Sequence, residues 1–163
     1  MNENIVKQAV EKVIDEYIHP VDDMTLDAAR ILSKRVRAKA KEMGVNAVVA
    51  ISNKSSNPVL VECSDNSFIA SYDIALNKAY TVVALKMNTK ELSKLAAPGG
   101  SLYGIQFTNQ GRIVIFGGGE PLRNKNGEII GGLGVSGGSE EQDTKLAEYG
   151  KEIFEKGLKQ NGN

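Results

Sequence analysis

Apolar residues recur at three- and four-residue steps from the start of the chain. Ile5, Ala9, Val13 and Tyr17, flanked by Val10, Ile14 and Ile18, predict an amphipathic helix over residues 3–18. His19-Pro20 ends it, because a proline disfavours helical geometry in the residue before it. Thr25 is the expected N-cap of a second helix, with Asp27 favourable in its first turn. Leu26, Ala29, Leu32, Val36, Ala40 and Met43 form its stripe, and Gly44 stops it. Val45–Ser52 reads as a buried strand, Asn53–Pro58 as a turn and Val59–Glu62 as a returning strand. Residues 70–87 read as a third helix, and Thr89 is the expected cap of a short helix to Leu95.

Pro98-Gly99-Gly100 breaks the chain. Strands are then expected at Leu102–Phe107 and Arg112–Phe116 around Asn109-Gln110-Gly111. A further pair, about Pro121–Arg123 and Glu128–Val135, surrounds Asn126-Gly127. Asn-Gly between extended segments predicts a hairpin, since both residues tolerate positive φ. Ser139–Gln142 has capping-box form and starts a last helix to about Leu158, before a frayed tail. Helices do not alternate with single strands, which argues against a parallel sheet. The expected class is α+β, an antiparallel sheet flanked by helices, with an extra N-terminal amphipathic helix. Residues 1–20 are set apart from a single domain over 25–158, with Pro20–Met24 as the one linker candidate.

Composition narrows the function classes. The 163 residues are 41% hydrophobic and 25% charged, enough for an ordinary core. Twenty basic residues balance twenty acidic ones, so no global field draws in nucleic acid or an anionic membrane. The run Lys34, Arg35, Arg37, Lys39 and Lys41 reads as a solvated helix face, with no aromatic residues interleaved for base stacking. Cys63 is the only cysteine, so no internal disulfide forms. No apolar stretch approaches the roughly 20 residues of a membrane span, and the first residues lack an apolar leader, so the expected location is cytoplasmic.

Gly132–Gly137 matches G-x-G-x-x-G, but the second strand and acidic residue that dinucleotide binding needs do not follow. Gly134–Gly138 matches the G-x-S-x-G elbow, yet the sole histidine lies far upstream of Ser136. Ser136 therefore reads as structural, or as a hydroxyl and amide donor. There is no Walker loop, and one His with one Cys excludes the usual zinc site. What remains is the glycine density: Gly117-Gly118-Gly119, Gly131-Gly132 and Gly137-Gly138. Glycine weakens strands, so these positions mark bulges or the close approach of another backbone or a flat ligand. The amides around Gly137–Glu140, at a helix start, suit a carboxylate or phosphate. The plainer reading is turns and tight helix–sheet packing. His19 reads either as an exposed residue before a turn or as an axial ligand of haem iron. Tyr17, Met24, Met43, Met87 and Cys63 are other conceivable ligands, for each of which packing is the plainer role.

Gly117-Gly118-Gly119-Glu120-Pro121-Leu122, Asn126-Gly127, and Ile130–Gly138 followed by Glu141-Gln142-Asp143 together resemble the signature of the GlcG/HbpS-like family. That family includes the C-terminal domain of PduO-type corrinoid adenosyltransferases. Ala75-Leu76-Asn77-Lys78-Ala79 resembles the family's lysine-alanine helix, and Leu95–Gly104 resembles the PduO-type branch most. The resemblance implies a profilin-like fold, a dimer or larger homo-oligomer, and haem or corrinoid chemistry. It also implies a place in diol or glycolate catabolism, sometimes inside bacterial microcompartments. Family members that bind haem use a histidine, for which His19 is the candidate by elimination. The catalytic N-terminal domain of the PduO-type enzymes, with its ATP loop, has no counterpart here. Residues 3–18 resemble short helices that dock cargo onto microcompartment shells; the plainer reading is a helix packed on this domain or across a dimer.

The expectation is thus a non-catalytic binding or accessory module for haem, corrinoid or a small anion. Its ligand would sit near Gly117, Gly118, Gly119, Pro121, Ser136, Gly137 and Gly138. The alternatives are an enzyme of haem breakdown or cobalamin adenosyltransfer, and a structural assembly protein.

Overall fold

The computed structural model describes residues 3–18 and 22–157. His19, Pro20 and the expected helix end at Leu158 lie outside the described residues. The helices are α1 (Glu3–Ile18), α2 (Leu26–Glu42), α3 (Ile69–Ala84), α4 (Thr89–Ala96) and α5 (Glu140–Lys156). The strands are β1 (Val48–Asn53), β2 (Pro58–Cys63), β3 (Gly119–Arg123) and β4 (Ile129–Ser136). They form one antiparallel sheet in the order β2-β1-β4-β3.

The sheet separates two apolar layers because strand side chains alternate between faces. Val49, Ile51, Leu133 and Val135 face Ala28, Leu32 and Val36 of α2 and Leu146, Ala147 and Phe154 of α5. Val48 and Ala50 face Ala75 and Ala79 of α3. The second layer is made of small residues, and the glycines explain how. A Cβ on Gly132 or Gly134 would collide with the carbonyl oxygens of Ala79 and Ala75, so α3 lies directly on the β4 backbone. Ser52 Oγ then reaches the Ala79 carbonyl at 3.0 Å. The close approach that these glycines predicted is that of a helix backbone.

Local signals account for most element ends. Thr25 caps α2 through the Ala28 amide. Ser139 and Gln142 form the expected capping box on α5. Asn124–Gly127 makes the β3–β4 turn, with Gly127 at φ +81°.

Three expectations are corrected. No strand forms at Leu102–Phe107 or Arg112–Phe116. Turns and two single 3-10 turns, Ile105–Phe107 and Asn109–Gly111, occupy that stretch. Asn109, Gln110 and Gly111 all take positive φ, a coil rather than a hairpin turn. Tertiary contacts hold it: the Tyr80 hydroxyl meets Asn109, Arg112 stacks on Tyr80, and Thr81 Oγ1 accepts from the Val114 amide. α3 ends at Ala84 rather than residue 87, where Lys86 turns to φ +57°. Asn88, not Thr89, caps α4; Thr89 is buried and accepts from the Gly119 amide at 2.9 Å instead.

α1 touches α2, yet Ile5, Val6, Val10, Val13 and Ile14 remain exposed. The segment leading into α2 is pinned: the Met24 amide donates to Ile130 O, and Asp23 Oδ1 accepts from Lys54 N.

Candidate functional site

The glycine-rich signature converges on the end of the sheet where β4 runs into α5. Gly118 bends at φ +111° and lies against Lys78, which α3 projects toward the strand. Lys78 is fully buried. Its Nζ donates to the Val135 carbonyl at 2.8 Å and to Asp143 Oδ2 at 3.2 Å, under the Phe116 ring at 4.8 Å. Asp143, in the first turn of α5, also accepts from the Gly138 amide at 2.9 Å. Burial pushes the Lys78 ammonium pKa down, and Asp143 opposes that; burial pushes the Asp143 carboxyl up, and Lys78 opposes that. One ion pair thus bolts α3, β4 and α5 together beneath the glycines. Added bulk at Gly118 would meet Nζ at 2.6 Å.

The other expected site residues distribute as follows. Gly117 donates its amide to Glu140 Oε1 at 2.8 Å, and a Cβ there would strike Thr144 Oγ1. Pro121 is buried in edge strand β3, opposite Gly132. Ser136 is buried with its hydroxyl on Ser71 Oγ at 3.1 Å. Gly137 takes φ +154°, with the Asn46 carbonyl 2.5 Å from any added Cβ. Gly117, Gly118, Ser136, Gly137 and Gly138 therefore gather around the Lys78–Asp143 pair or the start of α5. Gly119 and Pro121 lie further along β3. At the start of α5, the Gly138, Ser139 and Gln142 amides are already held by Asp143, Gln142 and Ser139.

Gly137 and Gly138 also line a groove of about 210 Å³ with Asn46, Asn66, Phe68 and Gln142. Its lining is mostly polar, with Phe68 at the rim as its one aromatic residue. Phe68 is 70% exposed, Ile69 98% and Tyr72 52%, side by side at the start of α3. Large apolar side chains so presented mark a surface meant to be covered.

A second buried charge lies on the other face of β3. Glu120 is 4% exposed, and its Oε2 accepts no hydrogen bond but stands 3.6 Å from Lys151 Nζ. Burial pushes its pKa up to about 7; Lys151 opposes this, and Glu148 and Glu155 add to it.

Lys78, Asp143, Ser71, Phe68 and Glu120 were not among the residues the sequence singled out for the site. The available signals were a lysine one turn on from Ala75, on the apolar face of α3, and a glutamate inside a buried strand. Among the described residues, no three His, Cys, Asp or Glu side chains group as a metal site. No helix among them is long and apolar enough to cross a membrane.

A four-stranded antiparallel sheet, covered by α2 and α5 on one face and by a glycine-seated α3 on the other, defines the profilin-like α+β class. Within that class the comparisons are specific. The family model described as haem degrading protein HbpS-like matches residues 24–152, and the chain belongs to that family. It is similar to the uncharacterised 15.0 kDa protein of the dhaT-dhaS intergenic region of Citrobacter freundii, 47% identical over 80% of this chain and 92% of that protein. It is also similar to the corrinoid adenosyltransferase PduO of Citrobacter freundii, 32% identical over 85% of this chain but only 44% of the enzyme. Less than half of that enzyme therefore has a counterpart here. The crystal structure of a PduOC–haem complex superposes with a TM-score of 0.76 at 35% identity, covering 80% of this chain and 94% of that one. α1 precedes the span matched by the family model.

Proposed function

We propose that this chain is a tetrapyrrole-binding accessory module, with haem or a corrinoid as its ligand. The observation that carries the reading is the exposed apolar cluster of Phe68, Ile69 and Tyr72, whose Phe68 rims a groove also lined by Gly137 and Gly138. A planar apolar macrocycle is complementary to such a surface. The similarity to a protein crystallised with haem supports that chemistry.

The residues fit the group on two counts. The rim offers aromatic faces, and the polar end of the groove, Asn46, Asn66 and Gln142, offers hydrogen bonds to carboxylate or amide substituents. Bound haem would supply an iron centre able to take an axial ligand, the role expected of His19. A groove of about 210 Å³ is smaller than the roughly 300–1,000 Å³ of usual ligand sites and would take only part of such a ligand. Ligand sites typically bury at least about 70% of their occupant, so a second copy would close the other side. The working unit is accordingly a homo-oligomer. Diol or glycolate catabolism, within or outside a microcompartment, is the setting that this reading favours.

The test is a visible absorbance titration with haemin on the full chain, beside His19→Ala and Phe68→Ser. Saturable Soret shifts that weaken in Phe68→Ser and change their ligand-field signature in His19→Ala support the module. No saturable shift with either haemin or cobalamin refutes it. A second reading, pure assembly, draws on the glycines being consumed by helix–sheet packing. It predicts that a second copy covers the rim, giving a stable oligomer that binds neither compound.

A further inference from the structure

The two edges of the sheet, β3 and β2, are finished differently. In an antiparallel ladder, residues whose backbone groups bond to the neighbouring strand alternate with residues whose groups point away. On β3 the Val135 amide sets the phase. It donates to Gly118 O at 2.8 Å, so Gly119 and Pro121 face outward. The Gly119 amide is taken by Thr89 Oγ1 at 2.9 Å, and Pro121 has no N–H. From Gly119 to Pro121 that edge offers no free donor.

On β2 the Ser64 amide sets the phase. It donates to Ala47 O at 3.1 Å, beside the Val48–Cys63 pair. Leu60 and Glu62 therefore turn their backbone groups to β1, and the N–H and C=O groups of Val61 and Cys63 point away from the sheet. No described residue pairs with these outward groups. The middle of β2 has none of the usual devices that keep an edge strand solitary. It carries no lysine, and its proline, Pro58, and its bulge lie at the end far from Cys63. Its one charge, Glu62, is already met by Ser33 and Arg37 of α2. Val59, Leu60 and Val61 are half-buried and Cys63 is exposed.

We propose that β2 pairs with β2 of a second copy, antiparallel about a twofold axis between the two Val61 residues, so that two four-stranded sheets join into one. The edge is its own complement. About that axis the Val61 N–H of each copy donates to the carbonyl of the partner's Val61, and Cys63 comes opposite the partner's Val59. An axis at Glu62 would instead set two carboxylates directly opposite, which is unfavourable. Because β3 offers no free donor, the pairing closes at two copies instead of running on as a fibre. The surface uses none of Phe68, Ile69 and Tyr72, so the proposal does not rest on the tetrapyrrole reading.

The test is disulfide trapping on the full chain carrying Cys63→Ser and Val61→Cys, which places its only cysteine on the proposed axis. Opposed residues of a bonded antiparallel pair stand about 5.5 Å apart between Cα atoms, within disulfide reach. Mild oxidation should convert most of the chain to a covalent dimer on a non-reducing gel, and should do so equally in a Phe68→Ser background. Val61→Pro removes the outward amide and spares the ladder with β1, as Pro121 does on β3. It should weaken dimerisation at least about tenfold in sedimentation equilibrium, as loss of the two central main-chain bonds implies, with little change in melting temperature. If Val61→Pro does not fold, the trapping experiment decides alone. No cross-link, a wild type that stays monomeric throughout the concentration series, or undiminished dimerisation of folded Val61→Pro overturns the proposal and leaves the edge to an extended segment of another protein. A cross-link lost in Phe68→Ser also overturns it, because the aromatic cluster rather than the strand would then join the copies.

Discussion

Glu120 should make the fold less stable as pH rises through neutrality. Its carboxyl is buried between β3 and α5. Lys151 Nζ stands 3.6 Å away, while Glu148 and Glu155 act on it from the same helix, and Asn88, Glu152 and Lys156 line the same groove. Its pKa rises from 4.5 to about 7, so the folded chain holds a proton that the unfolded chain releases between those values. The stabilisation is complete below pH 4.5 and is lost as pH climbs through about 7. At about 1.4 kcal/mol per unit the full linkage would approach ~3 kcal/mol; solvent screening at Lys151, whose side chain is 34% exposed, reduces this to roughly 2 kcal/mol. Glu120→Gln removes the titration while keeping shape. Urea denaturation of both proteins at roughly pH 5 and pH 8 should show the glutamine variant gaining about 2 kcal/mol relative to wild type at the higher pH. A stability difference equal at the two pH values would refute the reasoning, because only a titrating carboxyl makes it pH-dependent.

Three further predictions rest on packing and pairing. Lys78→Met, which strands the buried Asp143 carboxyl, should cost about 3–5 kcal/mol by chemical denaturation. The double variant Lys78→Met/Asp143→Leu should recover part of that loss, a coupling visible as non-additivity in the cycle. Gly134→Ala should cost about 3 kcal/mol or more, since its methyl group meets the backbone of Ala75 and Ala79 rather than a movable side chain. Gly127→Ala, in an open turn at φ +81°, should cost only about 1 kcal/mol, read by the same assay. Ile69→Ser and Phe68→Ser should leave monomer stability within about 0.5 kcal/mol, yet weaken haemin binding and self-association in sedimentation.

Much of this molecule was legible along the chain because the signals are local. A Thr or Ser hydroxyl reaches an amide three residues on, so Thr25 and Ser139 marked helix starts without reference to the rest of the fold. Asn126-Gly127 likewise closes its hairpin from its own backbone preferences. The continuous apolar run of β1 and the stripe of α2 marked the main core. Residues 102–116 misled for the converse reason. Their β-branched and aromatic content suits strands, but no neighbouring edge pairs with them, and Tyr80 and Thr81 of α3 hold them as turns.

The site divides along the same line. The glycines and their spacing were visible in the sequence, and they carried the family resemblance that the comparisons then showed. What each glycine faces is a matter of tertiary structure: the Gly132 and Gly134 positions are filled by α3, and that of Gly118 by a lysine 40 positions earlier in the chain. The partners Lys78 and Asp143, Glu120 and Lys151, and Arg37 and Glu62 are separated by 65, 31 and 25 positions. No periodicity or motif links residues that far apart. Sequence alone determined most of the helices, the four strands that form and the Asn126-Gly127 turn, because those choices rest on neighbours within a few residues. Only the folded arrangement decided which charges are buried together and which grooves stay open, because burial and pairing depend on chains brought together across the sheet.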